Sequence, residues 1–196
     1  MVKVIPLFNQ EAQLIKALRK ADQKAQRQLY EKYASRMLGV CRRYISDPMA
    51  AEDILVEGFM KVFDKIDQFK SEGSFEGWIR RIMVNEALGY LRQQKRSLED
   101  VSLDEAHGIA DFEQADQSLQ AEEMMNMIGT LPTGYRTIFN LYAIEGYSHA
   151  EIADMLGITE STSKSQLHRA RALLQQLVAK WENDFKKKVD YEKASS

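Results

Sequence analysis

The sequence has few residues that could build a covalent or metal-bound framework. Cys41 is the only cysteine among 196 residues, which excludes a disulfide within the chain and a cluster of thiolate metal ligands. The histidines, His107, His149 and His168, lack the HxxxH spacing of paired metal ligands. We therefore expect no metal site, no cofactor and no enzymatic activity. A single cysteine also fits a reducing cytoplasm.

Helix breakers and long apolar runs are scarce as well. Three prolines and ten glycines leave room for long helices. Near the N-terminus only residues 4–8 form an apolar run, which is too short for a signal peptide or a membrane span. Hydrophobic residues make up 44% of the chain, enough to bury one large or two small cores. The composition predicts a soluble, intracellular, all-α protein with no membrane insertion.

The formal net charge of −2 does not by itself suggest a nucleic-acid-binding protein, but the charges are segregated along the chain. Between residues 98 and 123 there are nine acidic residues and no lysine or arginine. Such charge density resists packing into a core. We predict an acidic flexible linker at 97–117, between an N-terminal helical domain at 1–96 and a C-terminal domain at 118–188, with a tail at 189–196.

Apolar periodicity predicts four helices in the first domain, the third running from 48 to 66 and the fourth from 75 to 94. Asp47 can cap the third helix, and Pro48 can occupy its first position. The fourth helix bears cationic and amide side chains beside a group of aromatic rings, a combination typical of single-strand binding. The alternative is that the rings only fill the core. The residues concerned are Phe69, Phe75, Trp78, Arg80, Arg81, Asn85 and Arg92.

Residues 148–174 have the pattern of a helix-turn-helix. Ser148 and Glu151 form the spacing of a capping box, Gly157 can end the helix, and Thr159 can cap the next one. The second helix has one stripe that we expect to be buried and an opposite face of hydroxyls and cations suited to bases and phosphates. An ordinary helical hairpin with a solvated basic face is the alternative. The predicted buried stripe is Ser163, Leu167, Ala170 and Leu174, and the outward set is Ser161, Lys164, Ser165, His168, Arg169 and Arg171.

Four sequence motifs follow one another in a recognisable order. They are AEDILVEGFMKVF at 51–63, the FxxxxxFxxWIxRI pattern at 69–82, VNEALGYLR at 84–92, and a long motif at 131–171 that contains the helix-turn-helix. Together they resemble the bacterial RNA polymerase sigma factors of the small, two-domain, extracytoplasmic-function subgroup. The resemblance spans about 24–96 and 118–181.

The resemblance implies a protein that binds core RNA polymerase and recognises and opens promoter DNA, as duplex and as melted strands, under the control of an anti-sigma factor. It implies that Asp53, Glu57 and Phe59 dock on the polymerase. It also implies that the aromatic loop from Phe69 to Trp78, with Asn85, captures a flipped base of the upstream-ten element, and that the nearby arginines bind the same element. The residues implied for the upstream-thirty-five element are Arg136, Ser161, Lys164, Ser165, Gln166, His168 and Arg169.

Three positions depart from the family pattern. Val56 stands where a glutamine is frequent, Gly89 where an aspartate is frequent, and Ser163 where the recognition helix usually buries an aliphatic side chain. We expect Ser163 to remove part of the packing that a valine would provide. A helix-turn-helix repressor or activator that does not dock on polymerase is the alternative function, although it would not need the aromatic loop.

Overall fold

The computed structural model describes residues 7–99 and 119–194 of the chain. Within these ranges the regular structure is helical, and the helices divide between two compact units, α1 to α4 in the first and α5 to α8 in the second. The first unit contains α1 (Leu7–Leu18), α2 (Gln23–Tyr44), α3 (Pro48–Asp64), a 3₁₀ turn (Ile66–Gln68) and α4 (Phe75–Glu99). The second contains α5 (Leu119–Gly129), α6 (Thr133–Phe139), a π-helical turn (Asn140–Ile144), α7 (His149–Leu156) and α8 (Glu160–Ala194).

Local side-chain chemistry sets the starts of two helices in the first unit. Asp22 accepts a hydrogen bond from the backbone of Ala25 at the start of α2. Asp47 accepts from Met49 and Ala50, with Pro48 at the first position of α3, as the sequence predicts. Each cap satisfies backbone N–H groups that have no partner inside the helix.

The core of the first unit lies between α2, α3 and α4, which pack against one another. Its apolar residues recur at helical spacing on each helix, so that each helix buries one face. The largest fully buried side chains here are Leu29, Met37, Tyr44, Phe59, Phe75, Ile79 and Met83. Helix α1 adds Leu14, Ile15 and Leu18 against α2.

The second unit is built around α8. Ile128 and Leu131 pack with Ala170 and Leu174 to form its core, and α6 and α7 cover other parts of α8. The predicted capping box is present, because Ser148 accepts from the Glu151 backbone while the Glu151 carboxylate accepts from the Ser148 backbone. Gly157 ends α7 in the left-handed conformation at φ 66°. The helix-turn-helix prediction is confirmed in its caps and its corner.

Several helix ends differ from the predicted ones. Helix α3 ends at Asp64 rather than at residue 66, and α4 continues to Glu99, three residues into the segment predicted as linker. Helix α8 continues to Ala194, across most of the predicted tail. No proline or glycine interrupts these extensions, so nothing in the local sequence stops the helix. Residues 100–118, which include most of the predicted linker at 97–117, lie outside the described residues.

The described part of the chain has neither a membrane-spanning helix nor a cluster of metal ligands. No helix there combines the length and the apolar content needed to cross a membrane. The same residues also contain no grouping of three or more histidine, cysteine, aspartate or glutamate side chains that could hold a metal ion.

Candidate nucleic-acid interface

Helix α8 presents the outward face that the sequence predicts, which we call the reading face: Ser161, Lys164, Ser165, His168 and Arg169, all exposed. The Lys164 ammonium lies 3.2 Å from the Glu160 carboxylate, one turn earlier. The Ser165 hydroxyl donates to the Thr162 carbonyl at 3.0 Å. The Thr159 hydroxyl accepts from the Thr162 backbone at 3.1 Å and so caps the start of the helix. Hydroxyls and cations thus share one solvent-exposed surface.

Gln166 belongs to the predicted set but lies to one side of the reading face. Its side chain is half-buried, and its Oε1 atom would be 3.3 Å from a Cβ added at Gly134 in α6. Gln166 therefore packs across the contact between α6 and α8, and the glycine gives it room.

Ser163 lies on the buried stripe of α8, as predicted, with Leu167, Ala170 and Leu174. The side chain is 0% exposed, and its Oγ atom is 2.9 Å from His149 Nδ1 on α7, in a hydrogen bond that either residue can donate. The sequence-based expectation that Ser163 only removes packing is therefore incomplete. A buried polar contact between the two helices takes the place of the aliphatic side chain.

Arg136 is a correction to the predicted set. The residue is only 7% exposed, and its Nη1 donates to the Gly129 carbonyl at the end of α5 at 2.8 Å. Burial lowers the pKa of Arg136. A guanidinium engaged on a helix C-terminus inside the second unit stabilises that unit and does not face a phosphate.

The aromatic group of the first unit is also a correction in part. Phe69 and Phe75 are buried, with ring centroids 4.9 Å apart, so neither ring is presented to a base. Trp78 is half-buried and packs on both, at 5.5 Å from Phe69 and 6.0 Å from Phe75. The two phenylalanines fill the core, the alternative left open by the sequence, and Trp78 is the one ring of the three with exposed area.

The loop between Phe69 and Phe75 is held at both ends. Arg19 in the turn after α1 donates to the Phe69 carbonyl at 2.8 Å, and the Ser74 hydroxyl accepts from the Gly77 backbone at 3.2 Å. Between them the chain turns sharply, with positive φ at Ser71 and Gly73. Residues 70–74 are all exposed, so a polar loop anchored at both ends projects near Trp78.

Helix α4 separates the predicted cationic residues into two groups. Arg81, Asn85 and Arg92 are exposed and share one side of the helix with Trp78, at spacings of three, four and seven residues. Arg80 lies on another side, where its guanidinium is 3.8 Å from Glu76, which also pairs with Arg36 of α2 at 3.0 Å. Arg80 therefore belongs to an ion-pair group between α2 and α4.

Helix α3 carries an exposed surface that sequence reasoning found only in part. Asp53 and Glu57 point outward as predicted, but Phe59 is buried and is corrected from a contact residue to a core residue, its ring 4.9 Å from that of Tyr30. Three large apolar side chains share the exposed side: Met49 is 76% exposed, Val56 49% and Met60 61%. We call Met49, Asp53, Val56, Glu57 and Met60 the α3 face.

The missed residues had a signal in the sequence. Positions 49, 53, 56 and 60 follow spacings of four, three and four, a second helical stripe beside the one that builds the core. Exposed apolar area grouped on one side of a helix is a mark of protein interaction.

Comparison with known proteins assigns the chain to a family. Residues 29–97 match the family model for Sigma-70 region 2, and residues 121–174 match that for Sigma-70 region 4. The RNA polymerase sigma-H factor of Pseudomonas aeruginosa is 28% identical over 174 residues, covering 83% of this chain and 90% of that protein. The ECF RNA polymerase sigma factor SigW of Bacillus subtilis is 29% identical over 172 residues, covering 82% and 92%.

The fold agrees with this assignment. A solved structure of the sigma factor RpoE of Bartonella quintana, in complex with the anti-sigma factor NepR, superposes with a TM-score of 0.56 at 24% identity, covering 78% of this chain and 96% of that one. The two matched regions fall on the two helical units. The chain belongs to the sigma-70 family of RNA polymerase sigma factors, in the extracytoplasmic-function group. It directs promoter-specific initiation of transcription, and the family is not one of catalytic enzymes.

Proposed function

We propose that the work of initiation is divided among three surfaces on three helices: the α3 face binds core RNA polymerase, α4 and its preceding loop hold the melted upstream-ten element, and the reading face of α8 binds the upstream-thirty-five element. The observation that carries this proposal is the exposure of each set beside a fully formed core. None of the side chains of the α3 face or the reading face is buried, so each is available to a partner.

The α3 face suits a protein partner better than a nucleic acid. Its two carboxylates repel phosphates. Its three exposed apolar side chains stabilise a complex when a partner surface covers them and removes them from water. A partner with a basic, partly apolar helix surface would complement both features. We assign this partner as core polymerase, the assembly that a sigma factor must join.

The side of α4 with Trp78, Arg81, Asn85 and Arg92 suits a single strand. An indole ring can stack on a base, an amide can hydrogen-bond to the edge of that base, and the arginines can pair with the backbone phosphates. The anchored loop at 70–74 lies at the same end of α4 as Trp78, where its exposed side chains can contact an extruded base. Extruding a base costs a few kcal/mol, which such contacts can offset.

The reading face suits a duplex groove. Lys164, His168 and Arg169 can reach phosphates and guanine edges, and the short side chains of Ser161 and Ser165 let the helix approach closely. Nothing on this face is needed for folding, because the opposite stripe makes the core.

We further propose that an anti-sigma factor holds the protein inactive in the cytoplasm by covering one or more of these surfaces. The support is indirect: the RpoE relative of similar fold was solved with its anti-sigma factor bound. The exposed apolar residues of the α3 face offer a surface for such a partner. Affinity purification of the full chain from its native host, followed by mass spectrometry, tests this proposal, and recovery of core polymerase without any further stoichiometric partner would contradict it.

The docking assignment is tested by reversing charge on the α3 face. In Asp53→Lys with Glu57→Lys, both substitutions lie on exposed positions, so we expect thermal stability close to wild type and loss of core-polymerase binding in a pull-down. The matched control is Glu31→Lys with Glu182→Lys, which changes the net charge equally at exposed positions off the α3 face. Wild-type affinity in the α3 variant, or equal loss in both variants, would reject the assignment.

A further inference from the structure

Four side chains connect α8 with α7 and the π-helical turn, which precede it in the chain. Tyr142 lies on the π-helical turn, and its ring stacks on that of His149 with centroids 4.6 Å apart and planes at 23°. His149 in turn shares the 2.9 Å hydrogen bond with buried Ser163 of α8. The Arg171 guanidinium lies over the same Tyr142 ring at 5.6 Å. We call these four residues the positioning cluster.

The positioning cluster holds α8 at two points. Ser163 and Arg171 are eight residues apart, which is about 12 Å along a helix. Core packing with Ile128 and Leu131 already restrains α8, and two further attachments separated along the helix add a constraint on its direction. Both attachments pass through Tyr142, directly to Arg171 and through His149 to Ser163.

The π-helical turn is what brings Tyr142 to this place. The Glu145 backbone donates to the Asn140 carbonyl at 2.9 Å, a bond across five residues instead of four, so the turn is wider than an α-helical one. Leu141 and Asn140 are fully buried while Tyr142 is exposed beside them, so the turn is anchored in the core on one side. Turns of this kind are frequent at functional sites.

The cluster is too polar to be explained by packing alone. A buried serine and a histidine contribute less to stability than well-packed aliphatic residues would, because their hydrogen bond must offset the cost of removing both groups from water. What such a pair does provide is a single allowed geometry, since the bond is lost when the helices shift by an ångström or two. A geometry fixed between α7 and α8 determines where the reading face meets the groove.

We propose that Tyr142, His149 and Ser163 are positioning residues for promoter recognition: they hold α8 at the angle at which its reading face contacts the upstream-thirty-five element. This inference rests on the proposed role of α8. None of the three side chains needs to touch DNA. Their effect is on the discrimination between a correct and an incorrect element, because a misaligned helix keeps its phosphate attraction and loses its base contacts.

The test measures discrimination by the full chain assembled with core polymerase. The probes are a promoter duplex selected by the wild-type holoenzyme from a randomised pool and the same duplex with its upstream-thirty-five element scrambled. For Tyr142→Leu we expect the ratio of the two affinities to fall about ten-fold, the effect of roughly one mismatched base pair. Tyr142→Phe keeps the ring and should keep the wild-type ratio.

A second variant separates positioning from stability. His149→Leu with Ser163→Val replaces the polar pair by an apolar one, which we expect to leave the melting temperature unchanged or higher while the affinity ratio falls. The proposal would be overturned if Tyr142→Leu and this double variant both kept the wild-type ratio of affinities for the two duplexes. It would also be overturned if the ratio fell only in proportion to the fraction of folded protein. Arg169→Ala tests separately whether the reading face of α8 recognises the upstream-thirty-five element. If this variant also keeps the wild-type ratio, the proposed role of the reading face is rejected as well.

Discussion

Arg136 shows how one buried cation can organise a domain. Its guanidinium meets the last carbonyl of α5 from α6, so it joins two helices that are separated by a short turn. The negative end of the α5 dipole and the low-dielectric surroundings both strengthen this contact. Removal of the guanidinium leaves the Gly129 carbonyl without that donor.

We therefore expect Arg136→Met to destabilise the second unit by about 1.5 to 3 kcal/mol, the range for a hydrogen bond to a charged group. Amide hydrogen exchange measures this unit by unit. Protection should fall in α5, α6 and α8 and stay unchanged in α2 to α4, which serve as an internal control. Unchanged protection throughout, or promoter binding lost from a fully protected second unit, would restore the phosphate role.

Cys41 is a buried thiol in the core of the first unit. Burial raises the pKa of Cys41 from 9.0 to about 12, because the thiolate would lose its hydration. The folded state thus keeps a proton that the unfolded chain releases near pH 9, so this contribution to stability is present below pH 9 and declines as the pH rises toward 12.

The same burial should make Cys41 inert to alkylation. At pH 8 we expect iodoacetamide to label the chain in urea and to leave the native protein unlabelled over the same time, since the reagent needs an accessible thiolate. Mass spectrometry counts the label. Native labelling at the rate of the unfolded chain would contradict the placement of Cys41.

At the residue scale, the sequence predicts which way a side chain faces better than what it contacts. The outward positions of α8 and the buried stripe with Ser163 follow from the 3.6-residue period. The partner of Ser163 does not, because His149 is fourteen residues away and only the packing of α7 on α8 brings them together. The resemblance implies DNA contacts for Arg136, Phe69 and Phe75, but all three side chains are buried.

At the scale of helices, ends with a chemical signal are predicted and ends without one are not. Asp47, Ser148 and Gly157 mark their ends by caps or by a left-handed residue, and the structure has each of them in place. The ends of α4 and α8 carry no such signal, so composition alone placed them too early. Periodicity puts Arg80 about 100° around α4 from Arg81, but the ion-pair group of Arg80, Glu76 and Arg36 depends on how α4 packs on α2, which periodicity does not give.

Helix α4 supports a prediction about promoter opening. Asn85 is exposed on the same side as Trp78, so Asn85→Ala should remove base contacts without loss of core packing. Open-complex formation on a duplex promoter is measured by the permanganate reactivity of unpaired thymines. We expect it to fall ten-fold or more, which corresponds to the loss of a contact worth about 1.4 kcal/mol or more. The matched control is Gln93→Ala, also exposed on α4.

On a promoter with a pre-melted upstream-ten bubble, the Asn85 variant should recover most of the lost activity if its role lies in extruding the base. Binding to the upstream-thirty-five element should not change. Equal behaviour of Asn85→Ala and Gln93→Ala on the duplex would remove Asn85 from the upstream-ten surface.

At the scale of the molecule, a chain of nearly balanced charge presents different chemistry in different places. Carboxylates and methionines on the α3 face suit a protein, and cations and hydroxyls on the reading face suit DNA. This separation allows one chain to bind a polymerase and a promoter together. It also explains why the net charge of −2 is a poor guide to function.

This chain supplies promoter specificity to a polymerase that provides the catalysis. Run-off transcription with purified core RNA polymerase and the selected promoter duplex tests it most directly. The account predicts RNA of one length when the chain, core and promoter are combined, and none when the chain or core is omitted or the upstream-ten element is scrambled. No transcript from the complete mixture, with a core that is active with another sigma factor, would contradict it.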